Sequence, residues 1–521
     1  MTCMRRRRVL SALLLCLGAG VNTTAPAGAA PAPSPLGQVI PAPASVRSTG
    51  GAPFVLEDDV RIHVPARSPA AKAVGEYLAG LLRPSTGYGL PLTTAAGRDG
   101  IVLSLGGDSG REGYRMDVTG RAVVIRAATA AGLFHGVQTL RQLLPVSVER
   151  TYWQPGPWTV ARGTVTDRPR YAYRGAMLDV ARHFHPVGAV ERYIDELALY
   201  KINYFHLHLT DDQGWRIAIK SRPQLTRHGG STQVGGGSGG YFTKADYQRI
   251  VRYAASRYMT VVPEVDMPGH INAALASYAA LNCNGVARPL YTGTAVGFSS
   301  LCVGRKAVNT FINDVLREIA ALTPGPYLHI GGDEARATKR HSYAAFMRRA
   351  QAIVGKYGKT VMGWHQLTGA TPARGAIAQY WGTRGDEPSV AAAARKGTRL
   401  VLSPGNHAYL DMKYNARTSL GRAWAGYTEV RKSYDWNPAT FIHGAPASAV
   451  LGVEAPMWSE TIGSSDAIDY MAFPRLPALA ELGWSPASKH CWSDFRRRLA
   501  AQGDRWSVMG ITYYRSPQVP W

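Results

Sequence analysis

One pattern repeats from Tyr173 onward, and it constrains the fold more than any other feature of the sequence. Short runs of strand-forming residues end in polar or aromatic side chains, and several of them are followed by a helical stretch. The eight runs lie at 174–180, 203–209, 260–265, 327–330, 360–364, 377–381, 399–403 and 450–454. Eight strand-then-helix units over about 320 residues predict an α/β fold, a (β/α)8 TIM barrel with long insertions.

The residues before the barrel fall into three predicted segments. Residues 1–30 are typical of a signal peptide, because the arginines at 5–8 precede an apolar stretch at 9–20 and then small residues. Residues 31–45 are rich in Pro and Ala, which predicts a flexible linker. Residues 46–165 alternate short strands with one or two helices and predict a small α+β domain, so that 166–521 form the barrel and C-terminal helices.

Export from the cell changes how the cysteines are interpreted. Removal of the signal peptide leaves Cys283, Cys302 and Cys491. The first two lie nineteen residues apart in a stretch rich in Gly and Asn, which predicts a disulfide that closes this loop. Cys491 is left outside that pair, and three cysteines at these spacings do not predict a metal site.

The net charge bears on the partners of the protein. The chain has 59 Lys and Arg residues against 35 Asp and Glu residues, a formal charge of +24. The basic residues are scattered and no nucleic-acid motif occurs, so we expect adsorption to an anionic cell surface and no nucleic-acid partner. No apolar run after the signal reaches the roughly 20 residues that span a bilayer, so we expect no integral membrane contact. The sequence leaves the oligomeric state open.

Polar and aromatic side chains collect where the predicted strands end, the edge of such a barrel that carries chemistry. They are His206, His208, Asp211, Glu264, Asp266, His270, His329, Asp333, Glu334, Trp364, Trp381, Tyr409, Asp411, Trp458 and Glu460. Tryptophan faces stack on sugar rings while carboxylates bind hydroxyls, so this combination predicts a carbohydrate site. We expect His206 and His208, which share one strand face, to fill the barrel interior rather than to bind a metal.

Four segments carry a resemblance to a known family. They are DVARHF at 179–184, HLHLTDDQGW at 206–215, VPEVDMPGH at 262–270 and HIGGDE at 329–334. In this order they closely resemble glycoside hydrolase family 20, the β-N-acetylhexosaminidases, over essentially the whole chain after the signal peptide. The sequence is most similar to secreted bacterial exo-acting members, which implies an extracellular enzyme that needs no cofactor.

The resemblance also implies a reaction mechanism. Ordinary retaining glycosidases flank the anomeric carbon with two carboxyl groups, but Asp333 and Glu334 are chain neighbours and poorly placed for that. The resemblance implies that the sugar's own 2-acetamido oxygen attacks C1 and forms an oxazoline-type intermediate. Glu334 would then be the general acid and base, while Asp333 and Tyr409 would orient the acetamido group. An acid role requires a raised pKa for Glu334.

Further residues are implied to bind the substrate, a non-reducing terminal GlcNAc or GalNAc, with chitin-derived oligosaccharides as the expected source. Those that surround the acetamido group and underlie the ring are Trp364, Trp381 and Trp458. Those that bind hydroxyls are Arg182, Asp411 and Glu460, and Trp424 would contact the next sugar. Asp211 and His270 would support the acid/base. The sequence does not decide between GlcNAc and GalNAc.

Two other functions are compatible with parts of the sequence. The pair His206 and His208 has the His-x-His form of zinc-dependent barrel hydrolases, although it follows the second strand and no consistent set of later ligands appears. A non-catalytic carbohydrate-binding protein could retain the same groove. The presence of both Asp333 and Glu334 argues against it, because binding alone needs no acid/base.

Overall fold

A computed structural model describes residues 32–521 of the chain, so the predicted signal peptide at 1–30 lies outside the described residues. Within 32–521, no helix is both long enough and apolar enough to cross a bilayer.

The first part of the chain is an α+β unit. Its strands are β1 (Ser45–Ser48), β2 (Phe54–Leu56), β3 (Ile62–His63), β4 (Leu92–Thr93), β5 (Gly100–Leu105), β6 (Tyr114–Val118), β7 (Ala122–Ala127), β8 (Trp158–Val160) and β9 (Gly163–Asp167), and its helices are α1 (Pro69–Thr86) and α2 (Ala130–Leu143). Seven strands form one sheet in the order β1-β9-β6-β7-β5-β3-β4, and β2 pairs with β8. The hydroxyls of Ser68 and Thr129 accept backbone N–H bonds and so begin α1 and α2.

The second part is a closed barrel of eight parallel strands, which confirms the predicted fold class. The strands are β10 (Tyr173–Asp179), β11 (Tyr204–His208), β12 (Thr260–Glu264), β13 (Tyr327–His329), β14 (Thr360–Trp364), β15 (Ile377–Tyr380), β16 (Arg399–Leu402) and β17 (Val450–Met457). The helices are α3 (Val187–Leu199), α4 (Gln224–Arg227), α5 (Lys244–Ser256), α6 (Asn272–Ser277), α7 (Lys306–Leu322), α8 (Arg340–Lys356), α9 (Pro388–Arg395), α10 (Val430–Tyr434), α11 (Ser465–Ala472), α12 (Arg475–Trp484), α13 (Trp492–Ala500) and α14 (Gln502–Met509). Each predicted run coincides with one strand, and β17 pairs with β10 to close the barrel.

Side chains fill the barrel interior in two apolar layers. The layer toward the beginnings of the strands contains Tyr173, Val262, Met362, Ile377 and Val401. The layer toward their carboxyl ends contains Met177, Trp364, Tyr409, Met412 and Trp458. Both faces of these strands are covered, and for this reason β10 is buried along its whole length. The second layer is rich in aromatic side chains and supports the open end of the barrel.

The prediction of a flexible linker at 31–45 is wrong for the residues from Leu36 onward. Leu36, Val39 and Ile40 are fully buried, and β1 already begins at Ser45. The Ile40 N–H donates to Gln142 of α2, while the Ala42 N–H donates to Glu481 of α12. A Pro- and Ala-rich composition indicates a linker only where the few apolar residues have no surface to bury against. Here the segment packs between the α+β unit and the C-terminal helices.

A buried carboxylate joins the α+β unit to the barrel. Asp167, at the end of β9, accepts hydrogen bonds from Lys201 Nζ, Tyr114 OH and Trp484 Nε1, each 2.9 Å long. Lys201 follows α3 and Trp484 ends α12, so one side chain connects the sheet to two parts of the barrel. Both Asp167 and Lys201 are excluded from solvent, which makes each the necessary counter-charge of the other.

The predicted disulfide is present. Cys283 and Cys302 are joined, with their Cα atoms 4.9 Å apart, and the bond closes the loop that precedes α7. Cys491 is half-buried, and its Sγ lies 3.3 Å from Ser493 Oγ.

We expect Asp167→Asn to lower the free energy of unfolding by about 3–5 kcal/mol, because it leaves the buried Lys201 ammonium without a counter-charge. Urea unfolding followed by tryptophan fluorescence measures this loss. Asp117→Asn is the matched control, since Asp117 lies in the same sheet but forms a partly exposed ion pair with Arg115, which contributes about 1 kcal/mol or less. Equal losses in the two variants would show that Asp167 does not anchor the barrel.

Candidate active site

A cavity of about 430 Å³ lies at the carboxyl ends of the barrel strands. Its lining residues are Arg182, His270, Thr294, Val296, Asp333, Glu334, Arg336, Trp381, Tyr409, Asp411, Arg422, Trp424, Trp458 and Glu460. Every residue that the sequence analysis assigned to catalysis or substrate binding lines this cavity, except Asp211 and Trp364. These two are buried directly behind the cavity, where they contact lining residues.

The turn after β13 places Asp333 and Glu334 in the cavity. Gly331 and Gly332 have φ of 63° and 104°, a region that favours glycine. A Cβ atom on Gly331 would lie 1.7 Å from Asp266 Oδ1, so no other residue fits there. Asp266 in turn accepts the Gly332 N–H at 2.9 Å. Glu334 itself has φ of 40°, and its strained backbone is held by this tight turn.

Glu334 sits in surroundings that favour its protonated form. Burial raises the pKa of this carboxyl, and the neighbouring Asp333 carboxylate raises it further. The cations nearby are His270, whose Nε2 is 3.7 Å from Oε2, and Arg336, whose Nη2 is 2.6 Å from Oε1. The net effect is a raised pKa, which is the property that a general acid needs near neutral pH.

Asp211 and His270 form a buried charge pair behind the two carboxyl groups. Asp211 Oδ1 lies 3.2 Å from His270 Nδ1, and Asp211 Oδ2 lies 2.8 Å from Arg182 Nη2. Burial alone would raise the pKa of Asp211, but Arg182 and His270 outweigh it and hold the pKa well below the usual value. Burial alone would lower the pKa of His270, but Asp211 and Asp333 outweigh it and raise the pKa well above its usual value. A positive charge is therefore held next to Asp333 and Glu334.

Deeper in the barrel, histidines and carboxylates alternate. Glu264 Oε2 lies 2.5 Å from His208 Nδ1 and 3.0 Å from His206 Nε2, and His206 Nδ1 lies 2.9 Å from Glu454 Oε1. Burial opposes their protonation, yet Glu454 raises the pKa of His206 to about 9 and Glu264 raises that of His208 to about 10. Both histidines lie in the barrel interior, as predicted. His208 also contacts Asp211 at 2.8 Å, so the chain of charges continues up to the cavity.

Three groups of side chains have the composition of a metal site. They are His206, Glu264 and His329, then Asp211, Asp266 and His270, then His270, Asp333 and Glu334, and within each group the ligand atoms lie within 4.8 Å of one another. In the first group each residue already contacts another polar side chain inside the barrel, since His206 contacts Glu264 and Glu454 while His329 contacts Glu264. The zinc-dependent alternative thus has candidate ligands that lie close enough together to bind one ion.

Aromatic rings form the wall and rim of the cavity. Trp364 and Trp458 lie 5.7 Å apart between ring centroids, and Tyr409 lies 6.1 Å from Trp458. Trp424 lies edge-on to Trp381 and is 52% exposed, which places it at the rim. Burial and the Asp333 charge raise the pKa of Tyr409 well above its usual value, so its hydroxyl stays protonated and can donate.

Several buried polar atoms of the lining residues have no hydrogen-bond partner among residues 32–521. They are Asp333 Oδ1, Asp411 Oδ1, Glu460 Oε2, Arg182 Nε, His270 Nε2 and Trp458 Nε1. Buried polar groups are nearly always paired in folded proteins, so unpaired ones around a cavity indicate a polar ligand. Burial and the neighbouring Glu460 also raise the pKa of Asp411 well above its usual value. Acceptors and donors at several positions suit a molecule with many hydroxyl groups.

Sequence reasoning missed four lining residues, Thr294, Val296, Arg336 and Arg422. Arg336 lies two positions after Glu334, and that proximity was a usable signal. Thr294 and Val296 belong to the loop closed by Cys283 and Cys302, which carries no motif. Only the fold shows that this loop reaches the cavity.

Two family models and a known relative match this chain. The family model "Glycosyl hydrolase family 20, catalytic domain" matches residues 171–487, and the model "Glycosyl hydrolase family 20, domain 2" matches residues 37–168. A β-N-acetylhexosaminidase from Cellulomonas fimi is 42% identical, with 93% of this chain and 97% of that protein covered.

Solved structures are similar as well. A mutant β-hexosaminidase from Streptomyces plicatus, in complex with its product GlcNAc, has a TM-score of 0.92 and 62% identity, with 94% of this chain and 99% of that chain covered. The family 20 β-N-acetylhexosaminidase from Streptomyces coelicolor has a TM-score of 0.93 and 62% identity, with 94% and 100% covered. These likenesses favour neither the zinc-dependent hydrolase nor the non-catalytic binding protein.

We expect Asp211→Asn to lower the pKa of His270, because Asp211 is the nearest charge that offsets the burial of the imidazole. NMR titration of histidine-labelled protein measures the change. Asp117→Asn, far from the cavity, should leave the His270 titration unaltered. A His270 titration that is the same in Asp211→Asn and in the wild type would refute the charge-pair assignment.

Proposed function

Because this chain belongs to glycosyl hydrolase family 20, we propose that it is a retaining, exo-acting β-N-acetylhexosaminidase that releases terminal β-linked GlcNAc or GalNAc. The single observation that carries the proposal is the pair Asp333 and Glu334 in one aromatic-walled cavity. The Streptomyces plicatus relative that holds GlcNAc supports the same sugar for this chain. The limited cavity volume of about 430 Å³ suits a chain end better than the middle of a long polymer.

In the first half of the proposed reaction, protonated Glu334 gives its proton to the glycosidic oxygen of the leaving group. The acetamido oxygen of the bound sugar attacks C1 as the bond from C1 to the leaving oxygen breaks. Asp333 accepts the acetamido N–H and balances the positive charge that develops on the ring formed. The Tyr409 hydroxyl, kept protonated by its raised pKa, donates to the acetamido oxygen and aims it at C1.

In the second half, the ionised Glu334 acts as the base. It takes a proton from water while the water oxygen attacks C1 and the bond to the acetamido oxygen breaks. Two inversions at C1 give net retention, and Glu334 ends protonated as it began. The Trp364, Trp381 and Trp458 rings would exclude other water from the acetamido group, and Arg182, Asp411 and Glu460 would bind the sugar hydroxyls.

The support for these roles is geometric. Asp333 and Glu334 follow one another in the chain, and both line the same cavity, so an attack from the opposite face of C1 must come from another group. The substrate's own acetamido oxygen can supply that attack. Burial and the Asp333 charge raise the pKa of Asp266, a third carboxyl group beside this pair, well above its usual value.

Export and domain organisation belong to the same proposal. A signal peptide at 1–30 would deliver the protein to an oxidising compartment, where the bond between Cys283 and Cys302 persists. We also keep the division into 46–165 and 166–521, supported by a sheet that ends at Asp167 and a barrel that begins at Tyr173.

The first test is the requirement for the acetamido group. We expect 4-nitrophenyl N-acetyl-β-glucosaminide to be hydrolysed about a thousandfold or more faster, in kcat/KM, than 4-nitrophenyl β-glucoside, because only the former brings its own nucleophile. Initial rates at 400 nm measure both. Comparable turnover of the two substrates would mean that a protein nucleophile exists and that the role of Asp333 is wrong.

The second test is Glu334→Gln, which cannot donate a proton. We expect kcat to fall about 10²- to 10⁴-fold on a disaccharide, whose leaving oxygen needs protonation, and less on the 4-nitrophenyl substrate. Glu76→Gln, an exposed change on α1, is the control and should retain wild-type kcat.

The pH profile gives an independent readout of the same residue. The acid step needs protonated Glu334, so kcat/KM falls as the pH rises through its raised pKa. The Glu334→Gln variant should lack this alkaline limb. An unchanged limb in the variant would assign the proton to another group.

A further inference from the structure

A second cleft of about 400 Å³ adjoins the catalytic cavity and shares three of its lining residues, Glu334, Arg336 and Trp381. It continues from them to Thr338, Arg340 and Gln366. We call it the basic cleft. Because it begins at the proposed proton donor, it lies where the group attached to the leaving oxygen passes. On the proposed function, that group is the sugar or aglycone released in the first half of the reaction.

Cations outnumber acids in the basic cleft. Apart from Glu334, the charged side chains that line it are Arg336 and Arg340. Lys339, which precedes α8, adds a third cation to the segment 334–340, and no acid follows Glu334 within it. In contrast, the catalytic cavity adds Asp333, Asp411 and Glu460 but also Arg182, Arg422 and His270, so its further charges balance. The basic cleft is thus the part of the site that favours a negative charge.

The two arginines keep donors available. Arg336 is 68% exposed and uses Nη2 for its bond to Glu334, which leaves most of its five N–H groups unengaged. Arg340 makes no ion pair or side-chain hydrogen bond with residues 32–521, and it is exposed at the first position of α8. Each guanidinium presents a planar fork of donors that matches a carboxylate.

The other lining groups suit a sugar. Trp381 is partly buried, and its Nε1 donates to Gln366 at 3.2 Å, so its ring is held in place at the border of the two cavities. The Thr338 hydroxyl already contacts Ser300 Oγ, while Gln366, whose amide oxygen accepts the Trp381 N–H, has two N–H donors for ring hydroxyls. An aromatic ring beside polar and cationic groups fits a sugar that carries an anionic substituent.

We propose that the basic cleft is a leaving-group subsite selective for an anionic sugar, one with a carboxylate that Arg336 and Arg340 bind. This inference rests on the proposed function, which concerns the terminal GlcNAc or GalNAc. It adds the chemistry of the next sugar, to which that terminal sugar is attached. Arg336 would keep its contact with the Glu334 carboxyl group, while its remaining N–H donors face the carboxylate of the leaving sugar. The excess positive charge of the chain would add to attraction of such substrates at low ionic strength.

The test compares two disaccharides that differ only at one carbon of the leaving sugar. They are GlcNAc β-1,4-linked to glucuronate and GlcNAc β-1,4-linked to glucose, with the methyl ester of the glucuronate as a neutral analogue of the same size. We expect kcat/KM to be about fivefold higher for the glucuronate at low salt, the upper range for a partly exposed ion pair. At 0.5 M NaCl this preference should fall toward one.

For the variants, the readout is the ratio of kcat/KM for the glucuronate disaccharide to kcat/KM for the glucose disaccharide. A ratio is needed because Arg336 contacts Glu334, so that its loss changes the turnover of every substrate. The double substitution Arg336→Gln and Arg340→Gln should bring the glucuronate-to-glucose ratio to about one. Arg348→Gln, an exposed arginine on the same helix α8, removes the same kind of charge and should keep the wild-type ratio.

The outcomes separate the inference from the proposed function. A wild-type ratio near one, or a ratio unchanged in the double variant, would overturn the anionic subsite while leaving the hexosaminidase intact. Absence of turnover of 4-nitrophenyl N-acetyl-β-glucosaminide would overturn the proposed function and the inference with it. Equal preference for a 6-sulfated glucose as leaving sugar would support the subsite and show that it binds anions by charge rather than by carboxylate shape.

Discussion

The geometry of this site depends on a column of charges buried inside the barrel. It runs from Glu454 through His206, Glu264 and His208 to Asp211, each step 3.0 Å or less. A buried charge that loses its partner costs several kcal/mol, so every member is held by its neighbours. Because the strands that carry these residues cannot shift without breaking the column, the groups at its upper end are fixed too. These groups are His270, which lies beside Glu334, and Arg182, which lines the cavity where the sugar is proposed to bind.

Environment, rather than residue type, separates the carboxyl groups of the site. Asp211 faces three cations, Arg182, His270 and His208, which hold its pKa down, and it remains a fixed anion. Glu334 is buried beside Asp333, which raises its pKa and makes it the group that can carry and move a proton. Asp266 is buried more deeply, and its pKa is also raised. One cluster thus contains a carboxyl group with a lowered pKa and two with raised pKa values, and the difference comes from burial and neighbouring charge.

Much of the fold and site could be predicted from the sequence, for identifiable reasons. The barrel strands are buried on both faces, so each is a short apolar run with an abrupt polar end, and all eight runs were visible. The residues at those ends must converge in a closed barrel, which brings Asp333, Tyr409 and Glu460 into one cavity. The prediction of a flexible linker fails at 36–45. Composition alone does not show whether apolar side chains have a surface to pack on, and Leu36 and Ile40 do have one.

Local pattern therefore determined the kind of fold, the motifs and the reactive residue types, because these depend on side-chain chemistry and short-range periodicity. Tertiary structure alone decided which of those residues face the cavity. Trp364 and Trp381 occupy similar positions at the carboxyl ends of two strands. Nevertheless, Trp364 is fully buried in the interior layer, whereas Trp381 lines the cavity. Tertiary structure also decided that Arg336 and Arg340 share a cleft with Glu334, and which carboxyl groups have raised pKa values. Burial and distance set those properties, and both are sums over residues far apart in the chain.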